Sequence, residues 1–402
     1  YVGKVALAAV GASTPIINML IGFFMGISTG AGVVIAQFFG AGDLSKMKKA
    51  IHNSIALTLV IGVVLTVVGL VFNDPILKAI GVPSDVFSEA STYLSIYFWS
   101  LIFVMIYNMG SGILRSVGDS KRPLYFLIFS SVINIVLDFL FVKNFGFGVA
   151  GAGYATLIAQ AISAIMVMYV LMKTEDSYKV VLKDIKFDKE ILLKIIKIGL
   201  PTGFQQSIVS LSNVIVQSYI NVYGASVIAG YSVTIKIDGF VNLPLQAFNM
   251  AITTFVGQNY GAHLYDRIQK GAKTALAIAL TMAVSLSVIL CFGGSYITKL
   301  FSSDQAIINQ CQSLILFLMP FYFSYCCVEI FSGTMRGCGE SFKPMLLVCL
   351  GICVLRVAWV TFISPHYPTL KGVVISYPIT WFTTSFLFII YYKHFKKYHF
   401  GA

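Results

Sequence analysis

Charge is scarce in this sequence. Of 402 residues, 28 are Lys or Arg and 16 are Asp or Glu, 11% together, where a soluble domain carries about 25%. A soluble fold of this length needs a polar exterior that so few charges do not supply. Cysteine is absent from the first two thirds. Cys291, Cys311, Cys326, Cys327, Cys338, Cys349 and Cys353 have no metal-ligand spacing and fall mostly inside apolar runs, which reads as small buried hydrophobes. The five histidines, His52, His263, His366, His394 and His399, are scattered. No Gly-x-x-x-x-Gly-Lys-Ser/Thr loop and no His-Glu-x-x-His occurs, so the motifs of nucleotide hydrolysis and zinc hydrolysis are missing. An intramembrane enzyme needs paired catalytic groups at membrane depth, and none is seen. The expectation is a protein that is not an enzyme and takes no organic cofactor. No basic, apolar and small-residue signal pattern opens the chain, and Tyr at position 1 fits a chain that begins late.

Long apolar runs are what the sequence has instead. Hydrophobic residues make up 57% and mean hydropathy is +0.85. A spanning helix needs roughly 20 mostly apolar residues, and eleven runs qualify, near 8–37, 50–72, 90–115, 122–143, 149–172, 197–221, 228–256, 271–294, 307–334, 344–365 and 372–393. They are read as helices, because open sheet edges cannot lie in lipid. The fold class is therefore an all-α polytopic membrane protein. The most polar stretch, from Lys173 to Lys197, carries seven lysines and divides the chain into an N-terminal lobe (1–172), a cytoplasmic linker with a short surface helix (173–196) and a C-terminal lobe (197–402).

The net charge of +12 is spread over short loops, not gathered in a stripe or tail, so nucleic acid is not an expected partner. With the linker cytoplasmic, alternation of the eleven spans puts 21 of the 28 Lys and Arg residues on the same side as the linker and the C-terminus. Five, Lys4, Lys78, Lys143, Lys299 and Lys371, fall on the other side, and Lys236 and Arg356 lie within spans. That is the positive-inside pattern, with the C-terminus cytoplasmic in a cell membrane.

The two lobes repeat each other. Ser111-Gly-Ile-Leu-Arg-Ser-Val-Gly-Asp-Ser-Lys-Arg-Pro123 matches Ser332-Gly-Thr-Met-Arg-Gly-Cys-Gly-Glu-Ser-Phe-Lys-Pro344. The offset that carries Ser111 to Ser332 also carries Gln37 to Gln258, Gly40 to Gly261, Gly3 to Gly224 and Ala8 to Ala229. Both copies of the matched loop are cytoplasmic, so the repeat is parallel, about an axis along the membrane normal. The first span of the second lobe maps to positions before residue 1. The expectation is two six-helix lobes, twelve helices in all, of which this chain holds eleven. In the matched loops, Arg115 and Arg336 read as turn residues that cap carbonyl ends or meet lipid phosphate, and the following Pro suits a first helical turn.

Ionisable groups inside spans are Asp138, Asp238, Glu329, Lys236 and Arg356, and a charge at the bilayer centre costs about 2.5–3.5 kcal/mol on insertion scales. Asp138 follows Asn134 by four residues, on one helix face. A carboxylate with an amide carbonyl suits a hard cation such as Na⁺. A desolvated carboxylate equally carries H⁺, and a structurally paired buried Asp is the third reading. Two polar stripes mark the second lobe, Gln206, Ser210, Asn213 and Gln217, and Asp238, Asn242, Asn249 and Thr253. Each is a wall of a substrate cavity or polar glue between helices. Pro244 interrupts the second stripe and is expected to kink its helix. Glu329 is expected either to pair with Arg356 or Lys236 or, with Asp238, to attract a cationic substrate. Phe and Tyr number 32 and 21, and a cavity lined by them suits planar cations.

Several segments resemble the MATE family (multidrug and toxic compound extrusion). These are Ala6-Leu-Ala-Ala-Val-Gly11, Met25-Gly-Ile-Ser-Thr-Gly-Ala-Gly32, Ala36-Gln-Phe-Phe-Gly-Ala-Gly42, Leu114-Arg-Ser-Val-Gly-Asp-Ser-Lys-Arg-Pro123, Asn134-Ile-Val-Leu-Asp138 and Gly148-Val-Ala-Gly-Ala-Gly-Tyr-Ala-Thr156. The resemblance covers the chain, is closest to the bacterial branches, and belongs within the MOP flippase superfamily. It implies twelve helices in two lobes around a V-shaped cavity, and secondary active export of amphipathic, often cationic drugs or toxic metabolites against H⁺ or Na⁺. It also implies a cation or proton site at Asn134, Asp138 and Thr156, completed in the family by an Asp of the first helix. Some relatives place an acid on the helix matching 197–221, where this chain has Gln205 and Gln206. A monomer in membrane lipid is expected. The alternative is a lipid-linked oligosaccharide flippase of the same superfamily, whose cavity is rich in basic residues. Lys236 and Arg356 are the only intramembrane bases here.

Overall fold

The computed structural model describes residues 3–401, and the side chains of all of these but 3–7, 12, 225 and 226. Among the described residues every regular element is helical. Eleven long helices follow one another: α1 (Gly3–Gly40), α2 (Leu44–Ala79), α3 (Ser84–Ser116), α4 (Lys121–Asn144), α5 (Gly148–Lys173), α6 (Lys189–Ile220), α7 (Ala225–Gly261), α8 (Tyr265–Lys299), α9 (Gln305–Gly337), α10 (Phe342–His366) and α11 (Leu370–Phe400). Each contains or overlaps one expected span and runs longer, because amphipathic turns extend the helices past the apolar core. Among the described residues nine are long and apolar enough to cross a membrane; α6 and α7, which carry the two polar stripes, are not among them. The linker contains one 3₁₀ turn, Leu182–Asp184, and α6 starts at Lys189, inside the stretch expected to be non-spanning.

The helix starts repeat the sequence offset. Advanced by the offset that carries Ser111 to Ser332, the starts of α2, α3 and α4 fall on those of α8, α9 and α10. Those of α1 and α5 fall one position short of α7 and α11. The turns repeat too. Gly118 and Gly339 have φ of 98° and 95°, in the left-handed region that glycine enters without steric cost. The Asp119 amide donates to the Leu114 carbonyl (2.9 Å) and the Glu340 amide to that of Met335 (3.0 Å), which satisfies carbonyls at the two helix ends. In the preceding turn the equivalent residues differ: Gly42 (φ 70°) is matched by His263 (φ 58°). Asp43 caps α2 by accepting from the Lys46 amide at 3.0 Å. That bond and the Lys46 ammonium hold the Asp43 carboxyl below the ordinary carboxylate range.

The chain divides into two compact units, Tyr1–Gly203 and Phe204–Ala402, with the division inside α6. In the first unit α3 is central and packs on α1, α2 and α5, while α4 packs on α5. The core is aliphatic and aromatic, with Phe24, Ile35, Leu94, Phe98, Leu101 and Leu171 buried. Small residues let α1 and α6 touch: a Cβ at Gly26 would run into the backbone of Gly203, and one at Gly30 into that of Gly199. In lipid, close backbone approach of this kind drives helix association. One face of α4 stays exposed, including Leu124, Ile128 and Ile135, as a lipid-facing helix requires. In the second unit α7 packs on α8 and α9, and α9 on α8 and α11. Cys311, Cys326, Cys338, Cys349 and Cys353 are buried free thiols.

The α1–α3 and α7–α9 crossings use equivalent positions. In the first unit Ser28 Oγ donates to the Asn108 carbonyl at 3.1 Å. In the second, Asn249 Nδ2 donates to the Glu329 carbonyl at 2.7 Å. Here the larger residue also reaches Ser332 Oγ (3.1 Å) and accepts from Arg336 Nη1 (3.0 Å). The Arg336 guanidinium therefore turns inward to Asn249 and does not cap the loop, contrary to the turn role expected of it.

Candidate functional site

α4 is α-helical to Asp138 and then widens into a π-helical turn, Phe139–Asn144. Such turns insert a residue into the helical ladder and recur at functional sites. Asn134 and Asp138 lie half-buried on the last α-helical turn. Asn134 Nδ2 and Asp138 Oδ1 are both buried atoms without a hydrogen-bond partner. An orphaned carboxylate oxygen at such a depth costs free energy that a cation or proton relieves. Thr156 stands on α5, against which α4 packs; its hydroxyl donates to the Ala152 carbonyl at 3.0 Å, which leaves its oxygen lone pairs for a further partner. Carboxylate, amide carbonyl and hydroxyl oxygens suit a hard monovalent or divalent cation. Among the described residues no group of three or more His, Cys, Asp or Glu side chains assembles for a transition metal.

Tyr93 of α3 interacts electrostatically with Asp138. The sequence around Tyr93 is rich in Ser and Thr, with Glu89 and Tyr97 four residues to either side, and nothing in it singles out this phenol. Close by in sequence, Ser91, Thr92, Ser95, Ile96 and Trp99 of α3 join Tyr154 and Leu157 of α5 in lining a cavity of ≈ 540 Å³. Its serines are held from α2: Asn73 Nδ2 donates to Ser91 Oγ (3.0 Å) and Ser95 Oγ (2.6 Å), and Ser91 Oγ donates to Asp74 Oδ1 (2.7 Å). The four-residue spacing of Ser91 and Ser95 was the available signal.

The second unit holds a buried polar chain. Tyr322 donates to the Asp238 carboxylate, and its ring packs on Trp381 at 4.7 Å. Tyr322 also bonds to Asn242, which accepts from Gln246 Nε2 at 2.5 Å. The Glu329 carboxylate bonds to Tyr325 and Asn249 and feels the Arg336 charge. Glu329 makes no ion pair with Arg356 or Lys236: among the described residues the ion pairs are Lys46–Asp43, Lys49–Asp188, Arg122–Asp119 and Lys194–Glu190. Lys236 lies instead over the Phe301 ring at 5.9 Å. Arg356 donates to Asn213 Oδ1 (3.1 Å) and Thr380 Oγ1 (3.2 Å) and stacks 4.1 Å from the Tyr377 ring centroid. Of the α6 stripe, Asn213 and Gln206 are exposed and Ser210 and Gln217 half-buried, with Gln217 Nε2 donating to Asn221 Oδ1 at 2.8 Å. Asn249 and Thr253 are buried between α7 and α9, the helix-gluing arrangement.

Eleven long helices, nine of them apolar enough to cross a membrane among the described residues, define a multi-pass membrane protein. The MatE family model matches residues 1–140 and 201–362, and the chain belongs to the MATE family of transporters. A protein of Bacillus subtilis (strain 168) named probable multidrug resistance protein YoeA is 31% identical over 402 residues, 98% of this chain and 87% of its own. The multidrug export protein MepA of Staphylococcus aureus (strain NCTC 8325 / PS 47) is 24% identical over 360 residues, 88% of this chain and 78% of its own. The solved structure of a multidrug resistance MATE family transporter of the MOP superfamily, in an outward-facing conformation, superposes with a TM-score of 0.93. It is 25% identical, over 100% of this chain and 90% of its own.

Proposed function

We propose that this protein is a secondary active multidrug exporter. It exchanges amphipathic, often cationic drugs for H⁺ or Na⁺ by alternating access, with the linker and C-terminus in the cytoplasm. Asn134, Asp138 and Thr156 bind the coupling ion. Gln206, Ser210, Asn213, Gln217, Asp238, Asn242, Asn249 and Glu329 form the polar wall and supporting network for the drug. The names of YoeA and MepA support the substrate class. The observation that carries the coupling assignment is the partnerless Asp138 Oδ1 on the last turn before the π-helical widening of α4. A carboxylate oxygen so placed is stabilised when a cation or proton arrives and destabilised when it leaves. That alternation is what antiport requires of one site, since a ligand shifts a conformational equilibrium only through differential affinity. The test is efflux of a fluorescent lipophilic cation from everted vesicles under an imposed H⁺ or Na⁺ gradient. One gradient drives efflux in the parent protein and neither does in Asp138→Asn. Efflux that survives Asp138→Asn removes the coupling role, and well-folded protein inert under both gradients removes the exporter reading.

A further inference from the structure

The repeat sets the first unit's candidate ion site against a definite counterpart in the second. At the offset that carries Ser111 to Ser332, Asn134 corresponds to Leu355, Asp138 to Trp359 and Thr156 to Tyr377. None of the oxygens suited to a small cation on α4 survives on α10. Trp359 Nε1 is committed to the Gly372 carbonyl at 2.9 Å. The backbone keeps one feature: α10, which also has a π-helical turn at Cys349–Val354 that α4 lacks, widens again at Trp359–Ile363, where α4 widens at Phe139–Asn144. The local scaffold is retained and its chemistry is exchanged.

What stands there instead is a cation built into the chain. Arg356 replaces Ile135 and is 3% exposed. The groups in direct contact with it are neutral, Asn213, Thr380 and the face of Tyr377, while the buried Asp238 carboxylate feels its charge from farther off. No carboxylate forms an ion pair with it among the described residues, and its Nε is a buried donor without a partner. A guanidinium offers five donors in a planar fork that matches a carboxylate or phosphate oxygen pair. Buried guanidinium groups are normally matched in that way; this one has no carboxylate at ion-pair distance among the described residues. Asn213, which spends its Oδ1 on Nη1, is itself exposed, and it belongs to the α6 stripe with exposed Gln206. An amide carbonyl is a weaker acceptor for a guanidinium than a carboxylate, so an arriving acid displaces it with gain.

We propose that Arg356, screened by Asn213, is the receptor for an anionic oxygen pair, and that the ligand is the carboxylate of an acidic or zwitterionic amphipathic drug. The assignment rests on the drug-export reading above and narrows its substrate class. One unit then takes a mobile cation, and the other presents a fixed one to the substrate.

The probes are a fluorescent zwitterionic drug bearing a carboxylate and its methyl ester, which differ only in that charge. Their dissociation constants are measured on the purified protein in phosphatidylcholine vesicles, and their transport in the same vesicles. The parent protein binds the acid about tenfold or more tightly than the ester, as a charge-assisted bond implies. In Arg356→Gln the acid-to-ester preference falls to about one. Should Arg356→Gln fail to fold, Asn213→Asp decides, because it seats a competing carboxylate on the guanidinium from an exposed position; the preference falls there as well. An acid preference retained in either folded variant, or absent from the parent, overturns the assignment. So does loss of the parent's preference on adding phosphatidylglycerol, which gives Arg356 to a lipid phosphate. Transport of the ester alone leaves drug export standing while this assignment falls, whereas failure to move either probe strikes the export reading itself.

Discussion

Asp138 and Trp359 occupy equivalent positions in the two halves of this chain, each at the entrance to a π-helical turn. One ends in a buried carboxylate oxygen without a partner; the other ends in an indole N–H bonded to the Gly372 carbonyl at 2.9 Å. Coupling to an ion is therefore expected from the first unit alone. Trp359→Phe removes one half-buried hydrogen bond, at a cost of about 1 kcal/mol, and leaves the dependence of drug efflux on the ion gradient intact. Asp138→Asn keeps the fold and abolishes that dependence. Thermal melting with efflux under each gradient separates the two, and a Trp359→Phe protein that melts as expected yet loses gradient dependence contradicts the asymmetry.

His263 is the one described residue other than glycine with a positive φ, 58°, at the position where the first unit has Gly42. For an L-residue the left-handed region costs roughly 1–2 kcal/mol. The ring recovers part of that by its contact with Tyr265 Oη at 3.1 Å, on the exposed surface. His263→Gly is expected to stabilise the protein by about 1 kcal/mol after the extra chain entropy of glycine is counted. The check is a thermal melt in detergent. A lower melting temperature shows that the His263–Tyr265 contact outweighs the backbone strain.

Asn249 ties together the α7–α9 crossing: it bonds to the Glu329 carbonyl at 2.7 Å, Ser332 Oγ at 3.1 Å and Arg336 Nη1 at 3.0 Å, and also to the Glu329 carboxylate. Asn249→Leu preserves volume and removes every one of these bonds. A guanidinium with another of its donors, Nε, already unpaired is left in an apolar seam. The expected loss is about 2–3 kcal/mol. Asn249→Asp keeps an acceptor for Arg336 and loses less. Equal melting temperatures for Asn249→Leu and the parent show that water replaces the amide.

Much of the architecture is legible in the sequence. Lipid leaves the chain few choices, so apolar length alone marks the helices, and the constant offset between the lobes locates their starts. Helix ends ran beyond the apolar runs because capping and amphipathic turns are set by polar residues such as Asp43. The α4 pair Asn134 and Asp138 was legible because spacing of four on a helix is local information. Partnerships across helices were not. Arg356 was expected to pair with Glu329, but α6 brings it Asn213, and Glu329 finds Tyr325 and Asn249. Arg336 looked like a loop residue and turns inward, because the acceptor that draws it stands 87 positions earlier. A π-helical turn leaves no periodic trace of its own, and Tyr93 is indistinguishable in sequence from a packing aromatic.

Tyr93 provides the most direct check on how the α4 carboxylate is tuned. It lies on α3, half-buried, within electrostatic reach of Asp138. A phenol is a hydrogen-bond donor and an acceptor, never a cation. Its service to a carboxylate is to stabilise the ionised form when the coupling ion has left. Tyr93→Phe removes only the hydroxyl and keeps the ring that packs against the α3 core. No hydrogen bond joins the phenol to Asp138 Oδ1, so its dipole contributes less than the about 1.5–3 kcal/mol of a hydrogen bond to a charged group, and the coupling ion is expected to bind about threefold more tightly to the variant and to leave more slowly. The measurable result is a half-saturating ion concentration lowered by that factor, with drug efflux slowed at saturating ion because release becomes limiting. A purely structural role for Tyr93 lowers the melting temperature and leaves the half-saturating concentration where it was, and that outcome removes Tyr93 from the site.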